Sequence, residues 1–163
     1  MTSMKPLGPK SYSELLRIFD VENSFKDGRQ PDKDTWSRDR FNEANTQFGE
    51  WNEFELSNTD LLEVKLIWNK ELGIPEEGMT VAEALQLQSV RNWISMGKNK
   101  VFPESHIWLA SEPLKNSSTP EYGLLKNYEG RLISLDGLHR MVAWADFGKQ
   151  ATLAFISGKP PKQ

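Results

Sequence analysis

Gly130-Arg131-Leu132-Ile133-Ser134-Leu135-Asp136-Gly137-Leu138-His139-Arg140-Met141-Val142-Ala143-Trp144 is the stretch that decides the fold. Arg131 to Leu135 alternates in the manner of a strand, Asp136-Gly137 breaks it, and Met141 to Phe147 reads as a helix that Gly148 stops. Gly137 lets the backbone turn without a Cβ penalty. A turn of this kind aims the free N–H groups of the following helix, and its dipole, beyond the strand end, which makes an anion site. Arg140 adds a two-pronged cation, His139 a group that exchanges protons near neutrality, and Asp136 a base or an orienting carboxylate. The plainer alternative stands beside this one. Asp-Gly is also a common turn, Asp136 can cap the helix, His139 can be structural, and Arg140 can pair with Glu129 or Asp146.

Outward from this stretch, Ala151 to Ile156 reads as a closing strand, and Gly158 to Gln163 as a frayed tail. Upstream, His106 to Ala110 is a strand after a turn at Pro103, and Lys115 to Pro120 is a loop. Thr80 with Glu83 forms a capping box that opens a helix through Val90, Trp93 and Ile94 to about Gly97. Ser57 to Asp60 caps a second helix, carrying Leu61, Leu62, Val64, Leu66, Ile67 and Trp68 and ending at Gly73. Trp51 to Leu56 alternates as a half-buried strand, and Ser11 with Glu14 opens a short helix from Tyr12 to Asp20. Glu22 to Glu50 is polar with isolated aromatics, Phe25, Trp36, Phe41 and Phe48, read as anchors of a loop or as the lining of a lid. The expected fold is α+β, a small mixed β-sheet flanked by helices with a helical or irregular N-terminal extension. The expected division is residues 1–50 for that extension, 51–158 for the sheet domain and 159–163 for the tail.

Composition narrows the function. The 163 residues carry a formal charge of −3, which disfavours nucleic acid as a partner. Without cysteine, thiolate catalysis and cysteine-ligated zinc are excluded. No apolar run matches a membrane span, and the first residues lack the core of a signal peptide, so a cytoplasmic protein without membrane contact is expected. His106 and His139 are the only histidines, and no close ligand spacing joins them, so no metal site is expected. His106 and Trp108 open a strand that can face the cleft of His139; Ser134 should share a strand face with Asp136. Trp36, Trp51, Arg29, Arg38 and Arg40 are further candidates for stacking on or attracting an anionic ligand.

The Gly130–Trp144 stretch, with Phe147-Gly148 and the strand after it, resembles the signature of the ParB/sulfiredoxin-like superfamily, whose members carry a "DGxHR"-type turn between strand and helix. The stretch from Trp93 through Phe102-Pro103 to Trp108-Leu109 is similar to the family's preceding helix and strand, so the likeness spans about Thr80 to Ser157. It implies a phosphate-binding turn at Gly137, His139 and Arg140 with Asp136 beside it, in a superfamily of ATP-using sulfiredoxins, CTP-binding ParB proteins, serine kinases and nucleases. Sulfiredoxins hold their catalytic cysteine where Leu138 stands, so that activity is excluded. The kinases take a carboxylate base from an early strand, for which Glu53, Glu55 and Glu104 compete.

The resulting expectation is a small-molecule enzyme acting on an anionic, amino-acid-like or other metabolite, such as a biosynthetic cyclase or hydrolase. His139, Asp136 and Glu104 are its expected catalytic residues; Gly137, Arg140, Ser134, His106 and Trp108 are expected at the substrate or anion. The alternatives are a nucleotide-dependent kinase, with Mg²⁺ and a nucleotide as cofactors, and a nucleic-acid-binding, nuclease or nucleotide-gated interaction module.

Overall fold

The computed structural model describes residues 4–23, 35–98 and 104–161. Phe25, Arg29 and the Phe102-Pro103 turn therefore lie outside the described residues, as do the last two residues of the tail. Seven strands form one mixed sheet in the order β1-β2-β7-β5-β6-β3-β4. These are β1 (Lys5–Pro9), β2 (Trp51–Ser57), β3 (Lys65–Leu66), β4 (Met79–Thr80), β5 (Ile107–Ala110), β6 (Ile133–Asp136) and β7 (Ala151–Ser157). The helices are α1 (Tyr12–Asn23), α2 (Thr35–Phe48), α3 (Asn58–Leu62), α4 (Val81–Ala84), α5 (Gln88–Trp93) and α6 (Leu138–Phe147). β5 lies parallel to β7 and antiparallel to β6, while β3 lies parallel to β6. The protein is thus α+β with helices on both sides of a mixed sheet, as expected from the order of elements. None of the helices among the described residues is long and apolar enough to cross a membrane.

Strand alternation divides the sheet between two cores. Phe54, Leu56, Ile107, Leu109, Ala154 and Ile156 pack with α3 to α6 around Leu61, Val81, Val90 and Met141. The other face presents Trp51, Trp108, Ile133, Leu135 and Phe155 to Leu15 and Phe19 of α1 and to Phe41 and Ala44 of α2. There Phe41 stacks on Trp108 with centroids 3.7 Å apart, and Phe19, Trp51 and Phe155 approach the same indole edge-on. Aromatic pairs of this kind add about 0.5–1.5 kcal/mol beyond their buried area.

Three expectations change. The polar Glu22–Glu50 stretch holds a 14-residue helix, α2, and β1 pairs antiparallel with β2, so residues 4–23 and 35–48 complete the sheet and its second core. The helix expected from Leu61 to Gly73 is only the five residues of α3, because Val64, Lys65, Leu66 and Ile67 are buried in succession and β3 is hydrogen-bonded on both sides. The helix opened by the Thr80–Glu83 box breaks at Leu87, whose ψ of 136° is extended, and restarts as α5 before a π-helical turn, Ile94–Lys98. Both capping boxes, Ser57 with Asp60 and Thr80 with Glu83, are formed reciprocally.

Candidate functional site

The Asp136–Arg140 turn is a structural hub. Gly137 adopts φ +99°, and a Cβ there would stand 2.9 Å from both Arg140 Nη2 and Ile107 Cγ2. Only glycine leaves room for Arg140 to fold back across the strand end. From there its guanidinium donates to Asp136 Oδ2 at 2.8 Å, to Ser105 Oγ at 2.7 Å and to the His106 carbonyl at 2.9 Å. Arg140 is 7% exposed. The second Asp136 oxygen accepts from Ser37 Oγ of α2 at 2.9 Å, and Arg40 Nε donates to the Leu135 carbonyl at 2.7 Å. Arg140 thus pairs with Asp136 and not with Glu129 or Asp146, while Asp146 pairs with Arg91. Gly137, not Asp136, occupies the N-cap of α6, and no side chain caps that end.

What the turn anchors is His106. The residue just before β5 has its carbonyl held by Arg140 and its ring laid on Phe155, centroids 4.0 Å apart and planes 6° from parallel. Glu22, in the last turn of α1, grips it twice: one carboxylate oxygen accepts the His106 backbone N–H at 3.0 Å, and the other lies 2.7 Å from Nδ1. Glu53, from β2, lies 2.6 Å from Nε2. Lys10 Nζ stands 4.0 Å from Glu53 and 3.9 Å from Glu14. A neutral imidazole has one N–H to give, so two carboxylates at hydrogen-bond distance select the imidazolium. Burial pushes the imidazole down; the hydrogen bonds and charges of Glu22 and Glu53 outweigh it and hold His106 above its ordinary value. The His106, Glu22 and Glu53 side chains keep 11%, 16% and 17% of their surface exposed, so the row is sheltered but reachable.

The expected catalytic trio is not brought together. His139 Nε2 lies 2.7 Å from Glu71 and its ring leans on Trp93, on the side of the sheet covered by α3 to α6. Glu104 is on the surface and accepts from Lys149 Nζ at 3.1 Å. Trp108, expected at the substrate, is fully enclosed beneath Phe41; the alternation that places His106 and Trp108 on one strand face puts the second of them in the core. Ser134 is buried as well, with its carbonyl accepting from Tyr122. Trp51 is buried against Tyr12, whereas Trp36 is exposed with Arg40 over its ring. Glu112, just after β5, lines a cavity near Tyr122 and Tyr128. Among the described residues, no group of three His, Asp or Glu side chains is arranged to hold a metal ion.

Sequence reasoning found His106 but missed Glu22, and it named Glu53 only as one of three candidate bases. The available signal was parity. Trp51 and Glu53 share a strand face, as do His106 and Trp108, so a strand pairing that buries both tryptophans also puts Glu53 on the histidine's side. No curated protein and no solved structure matches the chain. Its residues 4–161 match the family described as "Family of unknown function (DUF6309)", and the chain belongs to that family.

Proposed function

We propose that the protein is an acid–base enzyme acting on a small anionic metabolite, and that His106 carries the proton. The observation that supports this reading is the row Glu22–His106–Glu53, with carboxylate oxygens 2.7 Å and 2.6 Å from the two ring nitrogens. Glu22 holds both the backbone N–H and Nδ1 of the histidine, the role of an orienting carboxylate. Nε2 is then the working nitrogen: as imidazolium it donates to a leaving or carbonyl oxygen that displaces Glu53, and Glu53 takes up or returns the proton. Lys10 supplies positive charge beside Glu53. In this reading the ParB/sulfiredoxin-like turn positions His106 through Arg140, instead of gripping the ligand with that arginine. A metabolite lyase, cyclase or hydrolase fits these groups.

A second reading, nucleotide-dependent phosphoryl transfer, draws on the N-terminus of α6, where Gly137 is left-handed and no side chain caps the first turn. Thermal shifts with ATP and CTP in the presence of Mg²⁺ separate the two, since only the second requires a nucleotide response.

The acid–base reading is tested by incubating the protein with a pool of carboxylated and phosphorylated metabolites and following conversion by mass spectrometry. Wild type and His139→Asn should convert the same compound. His106→Asn, shown to be folded by circular dichroism, should be slower by about 10²–10⁴. Equal turnover by His106→Asn, or no conversion by the wild type, would remove the proposal.

A further inference from the structure

A second cavity, of about 430 Å³, opens beside β3 and β4 and is lined by Lys65, Glu77, Gly78, Glu83, Lys126 and Arg131 among others. Lys65 is 4% exposed, yet its ammonium makes no hydrogen bond and no ion pair among the described residues. Its stem runs past Gly78, where a Cβ would stand 3.2 Å from Lys65 Cε. Burial, followed by the repulsion of Arg131, pulls the amine below its ordinary value against the attraction of Glu83, Glu77 and Glu129. Arg131 is also incompletely used. Its Nε is buried without a hydrogen-bond partner, Nη1 donates to the Asn127 carbonyl at 3.3 Å, and Nη2 reaches only the exposed Glu63 at 3.5 Å.

Glu83, Glu77 and Glu129 attract the Lys65 ammonium through space, but none of them forms an ion pair with it among the described residues. One oxygen of Glu83 is taken up by the capping box, where it accepts the Thr80 N–H at 2.9 Å and its hydroxyl at 3.1 Å. Lys65 and Arg131, neither with its donors fully used, therefore line one polar cavity whose wall also carries Lys126, Glu63, Glu77 and Glu83. A lysine whose stem is enclosed and whose ammonium reaches a cavity without a hydrogen bond is a candidate to hold a ligand there.

We infer that this cavity binds the carboxylate or phosphate of a small molecule between Lys65 and Arg131. The arginine offers a flat pair of donors and the lysine a point charge, the combination that suits an oxyanion. A cavity of this volume holds a metabolite, and Glu63 and Glu77 on its wall suit a ligand that carries a hydroxyl or amine away from its anionic group. This site does not depend on the acid–base reading of His106.

The probes are inorganic phosphate and succinate, titrated against the protein by calorimetry and thermal shift at ionic strength matched with sodium chloride. The expected result is saturable binding of at least one probe. It should weaken roughly ten- to a hundredfold in Lys65→Met and in Arg131→Gln, the range of one charge-assisted hydrogen bond. Arg131 lies partly on the surface, so its variant remains informative if Lys65→Met does not fold. Addition of the bound probe should also slow reductive methylation of Lys65, read by peptide mass mapping. Absence of saturable binding by both probes, or unchanged affinity in folded Arg131→Gln, would overturn the inference.

Discussion

His106 illustrates how one residue acquires its chemistry from three distant segments. Alone it is an imidazole that titrates near neutrality. Phe155 beneath it and Glu22 and Glu53 at its two nitrogens convert it into a sheltered cation. The pH dependence follows with a definite sign. Its folded value is raised, so its stabilisation is complete below the unfolded value of about 6.5 and is lost as pH climbs through the folded value. The groups facing it are Glu22, Glu53 and, beyond Glu53, Lys10. Urea unfolding of wild type and His106→Gln from pH 6 to 9 should show a stability difference that narrows as pH rises. A constant or widening difference would mean that the histidine is not held as a cation. From the sequence, residue types at this place were partly legible: the histidine was visible and so was Arg140. The carboxylates that decide its charge come 84 and 53 positions earlier in the chain, and no local pattern signals them.

Among the elements, α2 shows why a helix can be missed. Its buried side is Ser37, Arg40, Phe41 and Ala44, a helical spacing of three, four and seven. Two of the four are polar, so the stripe does not read as apolar. They are buried because Asp136 and the Leu135 carbonyl at the end of β6 accept from them. The same turn that positions His106 thus also secures α2. The misread helix at Leu61–Gly73 is the opposite case, an apolar run that periodicity cannot divide between buried strand and helix. Capping boxes and the β2, β6 and β7 strands were legible because their signals are local: side-chain to N–H pairs three residues apart, and alternation against a single face. If α2 is part of the core and not a loosely held cover, Phe41→Ala should cost about 3–5 kcal/mol in urea unfolding. Phe41 is fully buried and loses both the Trp108 stack and the Phe19 edge contact in that variant. A loss below about 1 kcal/mol, within reach of an exposed site, would show that the second core holds without it.

Across the whole molecule, register locates the two sites relative to each other. Lys65 pairs with Ile133, and Ile133 pairs with Ala110 at the end of β5. His106 immediately precedes Ile107, the first residue of that strand, so it lies four residues, or about 13 Å, along from Ala110. Two strand spacings of about 4.8 Å separate β5 from β3, which places the Lys65 and His106 backbones roughly 16 Å apart. They share no hydrogen-bonding partner: the residues around His106 come from α1, β2 and the α6 turn, and those around Lys65 from β4, α4 and the segment before β6. Sites at this separation add in their effects on stability when the sheet between them is passive. The double variant His106→Gln/Lys65→Met should therefore be destabilised by the sum of the single effects within about 0.5 kcal/mol. A coupling above about 1 kcal/mol in urea unfolding at one pH would contradict independence. It would instead mean that β5 and β6 transmit a shift between the two ends of the sheet, so that an anion at Lys65 alters the proton held at His106.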